Sequence, residues 1–370
     1  MQHLDIVPRQ TLKNIKPYSP GKPIWEVERE LGLTRVIKLA SNENPLGPSP
    51  KAVEAIKNSI PELHRYPDAG AKLASAAIAS QLDLKPGQLI VTNGGDELIS
   101  LVSEAFLEAD DEIVIPAPSF SEYEFGAYLM GARTVPVPLT ADFRYDVDAM
   151  LAAVTPRTKL MYICSPNNPT GTYLPEAGLR RILDTIPKHI LVVIDSAYSY
   201  FASADDYSSG LEFVRAGYPV IVLQTFSKIF GLAGIRIGFG AAPESVIRTI
   251  LKVKEPFNVN ALAQAAASAA ITDDEHVQAS VQVNEKGREQ LYKGFRELGL
   301  AYTESMGNFV LVELGPDAQS IYEQLLARGI IVRYGGTWGL GGHVRISVGL
   351  PEENDTLLVN LRAILQEQKD

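Results

Sequence analysis

Residues 219–238 are Pro219-Val-Ile-Val-Leu223 followed by Gln224-Thr-Phe-Ser-Lys-Ile-Phe-Gly-Leu-Ala-Gly-Ile-Arg-Ile-Gly238. The first five residues form an apolar run, which predicts a buried strand. Lys228 comes just past the end of that strand, next to hydroxyl side chains and ahead of a glycine-rich segment. Such a lysine is either a solvated loop residue, as most lysines are, or an amine in an apolar pocket. In the second case a lowered pKa lets it form a Schiff base with a carbonyl cofactor.

Similar apolar runs recur along the chain on both sides of this segment. Together with 220–223, they predict seven strands, at 89–92, 112–116, 134–137, 159–164, 190–194 and 235–239. Helical patterns separate several of them, as over 97–107 and 179–185. Short apolar strands alternating with helices predict an α/β fold with a mainly parallel sheet covered on both faces. Ligands of such sheets bind beyond the carboxyl ends of the strands.

The length of 370 residues exceeds that of one compact core and suggests two domains. We predict an N-terminal arm over 1–40, which packs with the small domain or a partner chain. A large domain over 41–255 carries the sheet, and a smaller α+β domain covers 256–370.

Bulk composition excludes several classes of function. The net charge of −10 argues against non-specific binding of nucleic acid. Cys164 is the only cysteine, so an internal disulfide is impossible and a reducing compartment is expected. We find no signal-peptide pattern at the start and no apolar run near the ~20 residues that span a bilayer. The expectation is a cytoplasmic protein with no membrane partner.

Two polar signals follow the early strands. Gly94-Gly95-Asp96 opens a helix after the 89–92 strand, where backbone N–H groups and the helix dipole suit a phosphate. Taken alone, an ordinary strand-to-helix turn is the simpler interpretation. Phe120 follows the 112–116 strand and either covers a flat ligand or belongs to the core.

Two further signals follow the central strands. Ser165-Pro-Asn-Asn-Pro-Thr-Gly171 places two asparagines between prolines, which forms a rigid turn rich in donors. Asp195 directly follows four apolar residues, and Tyr198 comes three residues later. A carboxylate there needs a partner, which is either a helix N-terminus or a protonated ring nitrogen.

Taken together, these signals describe a pyridoxal phosphate site. Lys228 forms the Schiff base, and Asp195 keeps the pyridine nitrogen charged so that the ring acts as an electron sink. The 94–96 turn, Ser227 and Arg236 hold the phosphate. We predict no metal.

At this point the sequence resembles the fold-type I pyridoxal phosphate aminotransferases, and most closely the histidinol-phosphate aminotransferase family. The segments that carry the resemblance run nearly end to end in family order. They are Lys16-Pro-Tyr-Ser-Pro-Gly21, Lys38-Leu-Ala-Ser-Asn-Glu-Asn-Pro-Leu-Gly47, Arg65-Tyr-Pro67, Asn93-Gly-Gly-Asp-Glu97, Ser165 to Gly171, Asp195 with Tyr198, Thr225 to Gly238 and Val344-Arg-Ile-Ser-Val-Gly349.

The resemblance implies roles for single residues around the cofactor. Lys228 matches the Schiff-base lysine, and Asp195 matches the partner of the pyridine nitrogen. Tyr198 and Asn168 match the residues at the cofactor's ring oxygen, and Phe120 matches the stacked ring. The residues that match the phosphate cup are Gly95, Asp96, Thr225, Ser227 and Arg236.

The resemblance also implies a homodimer and a substrate pocket. Tyr66 matches a tyrosine that reaches the cofactor phosphate of the other subunit. Arg345 matches the arginine that binds the carboxylate of amino-acid substrates. In the histidinol-phosphate enzymes this place receives the substrate phosphate, helped by residues that match Tyr18 and Arg333.

The implied reaction converts imidazole-acetol phosphate and L-glutamate to L-histidinol phosphate and 2-oxoglutarate. Two departures bear on substrate preference. Ser196 stands where the family usually has glutamate, and Phe120 stands where it often has tyrosine. An aromatic amino-acid aminotransferase and a decarboxylase of threonine phosphate therefore stay open as alternatives.

Overall fold

The computed structural model describes residues 6–15 and 21–368. Within these ranges the helices are α1 (Ile24–Leu31), α2 (Pro50–Ser59), α3 (Lys72–Leu82), α4 (Gly95–Phe106), α5 (Glu122–Met130), α6 (Val147–Ala152), α7 (Glu176–Thr185), α8 (Leu211–Arg215), α9 (Glu244–Ile250), α10 (Ala261–Ala270), α11 (Asp274–Leu298), α12 (Ala318–Ala327) and α13 (Pro351–Glu367). The strands are β1 (Ile37–Lys38), β2 (Leu89–Thr92), β3 (Glu112–Ala117), β4 (Arg133–Pro138), β5 (Thr158–Cys164), β6 (Leu191–Asp195), β7 (Val220–Thr225), β8 (Gly238–Ala241), β9 (Tyr302–Thr303), β10 (Phe309–Glu313), β11 (Ile330–Ile331), β12 (Arg333–Tyr334) and β13 (His343–Ser347).

The largest sheet in the described ranges has seven strands in the order β2-β8-β7-β6-β5-β3-β4. Its strands run parallel except β8, which is antiparallel to both of its neighbours. The predicted α/β fold with a mainly parallel seven-stranded sheet is therefore confirmed. Because the chain enters β6 and β7 in the same direction, their last residues, Asp195 and Thr225, lie at one edge of the sheet.

Helices cover both faces of this sheet, which explains why its central strands β6 and β7 contain continuous apolar runs. In β6, Val192 and Ile194 belong to the core on one face, which also contains residues of α2, α3, α7 and α10. Leu191 and Val193 belong to the core on the other face, with residues of α4, α5 and α9. Successive side chains alternate between the faces, as strand geometry requires.

The helix α10 packs with the large sheet. Its alanines Ala263, Ala266 and Ala267 are fully buried in the same core as the β-strands. Small side chains let α10 lie close to α2. The domain boundary near 255 stays a prediction, and on this packing we propose to move it to the junction of α10 and α11.

A second layer of structure is built from the C-terminal residues and the segment before residue 40. Its sheet has the antiparallel order β12-β13-β10-β9, while β1 pairs with β11 in a separate parallel pair. Ile37 and Leu39 lie in the core that α11, α12 and α13 form over this sheet. The backbone N–H of Ser347 donates to the carbonyl of Leu39 (2.8 Å), which ties this segment to β13.

Several local features differ from the sequence expectations. The apolar run Ile330-Ile-Val332 by itself indicates one strand that ends at Arg333, whereas the structure has two strands there, β11 and β12, which join different sheets. The strand expected over 235–239 begins only at Gly238, because Ala233–Ile235 form a turn of 3-10 helix and Arg236 is left-handed (φ 59°). No helix in the described part of the chain is long and apolar enough to cross a membrane.

Candidate active site

A cavity of about 670 Å³ opens at the carboxyl ends of the central strands and extends to the small sheet. Most of the predicted site residues line it, which brings together side chains from widely separated parts of the sequence. They are Gly95, Asp96, Phe120, Asn168, Asp195, Tyr198, Thr225, Ser227, Lys228, Arg236, Arg333 and Arg345.

Lys228 lies in the wall of this cavity on the loop after β7. Its Nζ donates to the carbonyl of Ser41 (3.0 Å) and lies 5.7 Å from the centre of the Tyr198 ring. Burial, assisted by the nearby Arg345 guanidinium, lowers the pKa of Lys228 from the usual 10.5 to about 8. A lysine amine with a lowered pKa is a better nucleophile at neutral pH.

Asp195 ends β6 and is almost completely buried. Its Oδ2 accepts a hydrogen bond from the hydroxyl of Tyr123 (2.6 Å), and its Oδ1 accepts from the N–H of Ala197 (3.0 Å). Burial raises the pKa of Asp195, although these two hydrogen bonds oppose the shift. A cationic partner in the cavity would stabilise the ionised carboxylate at this place.

Tyr123 was not among the predicted site residues. It lies on α5, where Gly126 interrupts the helical pattern, so sequence reasoning missed it. The glycine allows close contact with α4, since a Cβ at position 126 would lie 2.5 Å from Ser103 Oγ. This contact holds α5 where Tyr123 reaches Asp195.

The N-terminus of α4 faces the cavity and provides a cradle for an anion. Gly94 is left-handed (φ 86°), and no side chain caps the helix there. A Cβ at Gly94 would lie 2.7 Å from Arg236 Nη2, so only glycine lets the turn approach this guanidinium. The N–H groups of the first helical turn and the helix dipole favour a phosphate.

Hydroxyl groups and an arginine surround this cradle. Thr225 Oγ1 lies 2.9 Å from Ser227 Oγ and accepts from the N–H of Ser227 (3.1 Å). Arg236 donates to the carbonyl of Ala233 (2.9 Å) and to Asp96 Oδ2 (3.3 Å). These donors converge on the same end of the cavity as the helix N-terminus.

Two arginines lie at the opposite end, on the small sheet. Arg333 of β12 is the direct cross-strand neighbour of Arg345 in β13. Both guanidinium groups lie against the ring of Trp338, at 5.9 and 5.2 Å from its centre. Arg345 also donates to Asn168 Oδ1 and to the carbonyl of Ala40 (2.6 Å). Trp338 was missed at the sequence level because it lies in a 3-10 turn without periodicity.

The two departures from the family pattern occupy different places. Phe120 lines the cavity and meets the ring of Tyr123 edge-on, at 5.7 Å between ring centres. Ser196 is buried and donates to the carbonyl of Ser209 (2.8 Å), a contact within the large domain.

One described residue of the predicted site, Tyr66, does not line the cavity. Tyr66 is 83% exposed and stacks on Phe257, with 4.8 Å between ring centres. Tyr18 lies outside the described residues. The described residues contain no group of three or more side chains suited to hold a metal ion.

A model of the aminotransferase class I and II family matches residues 34–361, so the chain belongs to that family. It is similar to the histidinol-phosphate aminotransferase of Moorella thermoacetica, with 48% identity over 96% of this chain and 92% of the relative. The enzyme of the same name from Anoxybacillus flavithermus is 42% identical over 98% and 97%. These relatives confirm the predicted resemblance to histidinol-phosphate aminotransferases.

A solved structure agrees with the sequence relatives. The histidinol-phosphate aminotransferase of Sinorhizobium meliloti, in complex with pyridoxal-5'-phosphate, has a TM-score of 0.88 to this chain at 27% identity. The match covers 96% of this chain and 98% of that one. It supports the predicted fold type.

The cofactor of this chain is pyridoxal phosphate, and the cavity residues fit it. The lowered pKa of Lys228 suits an amine that bonds to an aldehyde. The N-terminus of α4 at Gly94 and the Arg236 guanidinium beside it suit an anion. The buried Asp195 carboxylate at the cavity wall suits a protonated ring nitrogen.

Proposed function

We propose that the chain transfers the amino group of L-glutamate to imidazole-acetol phosphate, giving L-histidinol phosphate and 2-oxoglutarate in histidine biosynthesis. The observation that carries this choice of substrate is the cross-strand pair Arg333 and Arg345 at the cavity end opposite Gly94. The names of the relatives support it. We further propose that the enzyme works in the cytoplasm.

When bound, pyridoxal phosphate supplies an electron sink that makes the substrate α-carbon acidic. Lys228 Nζ anchors the cofactor covalently and, once released, moves the proton at the substrate α-carbon. Asp195 would hold the proton on the ring nitrogen, and Tyr123 orients its carboxylate by the 2.6 Å hydrogen bond. Phe120 would stack on the ring, and Tyr198 and Asn168 would bind the ring oxygen.

The phosphate of the cofactor would bind at the cradle of α4. The groups that would hold it there are the N–H groups of Gly95 and Asp96, the hydroxyls of Thr225 and Ser227, and Arg236, all of which belong to residues that line the cavity. The opposite end of the cavity binds the substrate's own anion. A phosphate dianion benefits from two arginines more than a carboxylate does, and Arg333 and Arg345 supply them.

The test compares substrates in the variant Arg333→Ala. A lost charged hydrogen bond is worth roughly 1.5–3 kcal/mol, or about tenfold to a hundredfold in kcat/KM. We expect a loss of this size for imidazole-acetol phosphate and a much smaller loss for phenylpyruvate, each measured with glutamate as donor. Arg345→Ala should impair both reactions, because carboxylate and phosphate both need it.

Arg362→Ala is the matched control, since Arg362 is half exposed and pairs with Glu297 on the surface. Surface ion pairs contribute little, so its kinetics should equal those of the wild type. Equal losses for phosphate and carboxylate substrates in Arg333→Ala would contradict the proposal and favour the aromatic amino-acid aminotransferase.

A further inference from the structure

Asn42 lies in the cavity wall, yet none of the roles above involves it. It is 1% exposed and left-handed (φ 54°), a conformation that asparagine tolerates better than most residues. Its backbone carbonyl accepts from Asn308 Nδ2 (3.0 Å), and its side-chain Nδ2 donates to Tyr198 Oη (3.0 Å). Asn42 thus joins Tyr198 to residues of the small domain.

The hydroxyl of Ser347 fixes which way the Asn42 amide points. Ser347 Oγ accepts the backbone N–H of Asn42 (2.8 Å), so its single hydrogen is directed elsewhere. That hydrogen is donated to Asn42 Oδ1 (2.8 Å). With the amide oxygen bound to Ser347, the amide NH₂ faces Tyr198.

This orientation decides what Tyr198 can do. The phenol oxygen accepts from Asn42, so the phenol hydrogen is not used on Asn42 and is available to an acceptor in the cavity. A hydrogen bond donated to a phenol oxygen also makes its O–H more acidic and therefore a stronger donor. In agreement, Asn42 is one of the groups that oppose the burial-driven rise of the pKa of Tyr198.

We propose that Asn42 is a positioning residue that directs the Tyr198 O–H towards the ring oxygen of the cofactor and strengthens it as a donor. Ser347 in turn holds Asn42, and it lies two residues from Arg345 on the same face of β13. The strand β13 therefore carries both Arg345, which binds the substrate, and Ser347, which acts through Asn42 and Tyr198 on the charge of the cofactor's ring oxygen. This inference rests on the proposed function, because Tyr198 must contact the ring oxygen.

The test measures the absorbance of the bound cofactor against pH, in the holoenzyme without substrate. The deprotonated cofactor carries negative charge on its ring oxygen, and a hydrogen bond donated by Tyr198 stabilises that charge. A weaker donor at Tyr198 therefore raises the pKa of the bound cofactor. Asn42→Gly removes the amide but keeps the left-handed backbone accessible. We expect the midpoint of the cofactor titration in this variant to rise by about half a pH unit, because part of the free energy of one hydrogen bond is lost.

A double-mutant cycle separates positioning from a structural effect. In the background Tyr198→Phe, adding Asn42→Gly should not move the midpoint further, because the hydroxyl it acts through is gone. Ser347→Ala frees the Asn42 amide to rotate, so it should also raise the midpoint. This variant replaces Asn42→Gly in the test if Asn42→Gly fails to fold. Asn308→Ala removes only the contact to the Asn42 carbonyl and should leave the midpoint unchanged.

An equal shift in both backgrounds, or no shift in Asn42→Gly and Ser347→Ala, would overturn the role of Asn42. The measurement needs no substrate, so it does not depend on which keto acid the enzyme uses. A failure of the substrate proposal would appear instead as unselective losses in Arg333→Ala.

Discussion

Lys228 lies in a place where its surroundings disfavour a positive charge. Burial removes the hydration of the ammonium group, and Arg345 repels it, so the pKa falls to about 8. With that pKa, roughly a tenth of the amines are neutral at pH 7, against well under a thousandth for an ordinary lysine. Only the neutral amine attacks an aldehyde. The cavity therefore favours the neutral, nucleophilic amine of Lys228 before the cofactor binds.

This difference predicts a pH profile for the cofactor-free protein. Pyridoxal phosphate is added at several pH values, the product is trapped with borohydride, and the rate of labelling at Lys228 is obtained by peptide mapping. The rate should rise about tenfold per pH unit below pH 8 and level off above it, because the neutral fraction does so. In Arg345→Ala the plateau should move to higher pH, since the repelling charge is removed.

Lys228→Ala serves as the control, because it measures the labelling of all other lysines. That variant should lack turnover but can still hold the cofactor non-covalently through the phosphate cradle. Label that appears mainly on another lysine, or a rate that keeps rising to pH 10, would contradict the assignment.

Single residues differ in how far the sequence predicts them. Asp195 ends an apolar strand and Lys228 comes shortly after the end of another, so the strand pattern indicates that both side chains lie at the cavity. Tyr123 and Trp338 carry no such pattern. Their places depend on a helix–helix contact at Gly126 and on the β12–β13 pairing, which link residues distant in the sequence. Local periodicity contains no information about such contacts.

Among the elements, the start of α2 connects several parts of the site. Ser49 Oγ accepts from the N–H of Ala52 (3.3 Å) as the N-cap of α2, and donates to Asp273 Oδ2 (2.5 Å) beside α11. The N–H of Ser49 donates to the carbonyl of Phe230 (3.0 Å), two residues after Lys228. One buried serine therefore holds α2, the α10–α11 junction and the lysine loop together.

Ser49→Ala should destabilise the protein by about 2–3 kcal/mol, since it removes an N-cap and a charge-assisted hydrogen bond. The free energy of unfolding is measured by urea titration with circular dichroism. Ser59→Ala is the matched control at the other end of α2, where Ser59 Oγ donates only to the carbonyl of Ala55 (2.8 Å). Its effect should stay within about 0.5 kcal/mol.

The pH dependence of the stability gives a second check on the hydrogen bond between Ser49 and Asp273. Burial opposes ionisation of Asp273, but the Ser49 hydroxyl, the Lys51 N–H and the Lys51 charge hold the pKa of Asp273 below its usual value. A lowered carboxyl pKa stabilises the fold above about pH 4, and this stability is lost as the pH falls through the folded-state value. The difference in the free energy of unfolding between the wild type and Ser49→Ala should therefore become smaller at acidic pH. A constant difference would show that the charge of Asp273 is not involved.

The strand pattern predicted the large sheet because most of its strands contain a continuous apolar run, as β6 and β7 do. The strands of the C-terminal region were harder to predict, because β9, β11 and β12 contain two residues each. Strands this short are defined by their partners, as Arg333 is by Arg345. The pairing of β1 with β11 joins residues almost 300 positions apart, which no local signal indicates.

At the scale of the whole molecule, several large apolar side chains are exposed to solvent. Tyr66 and Phe257 stack on the surface with about half or more of each ring exposed, and Leu63 and Leu251 are similarly exposed. Large apolar side chains grouped on a surface are typical of an interface. We propose that a second copy covers them and that Tyr66 enters the site of that copy.

The proposed homodimer gives a quantitative prediction for a mixture of two defective chains, Lys228→Ala and Tyr66→Ala. After denaturation and refolding together in equal amounts, half of the dimers contain one chain of each kind. In each such dimer one site has both defects, whereas the other has an intact Lys228 and an intact Tyr66 from its partner. The mixture should therefore recover about a quarter of wild-type activity, although neither parent is fully active. If Tyr66 served its own chain, the mixture would give only the average of the parents, and a fully active monomer in sedimentation would contradict the shared site altogether.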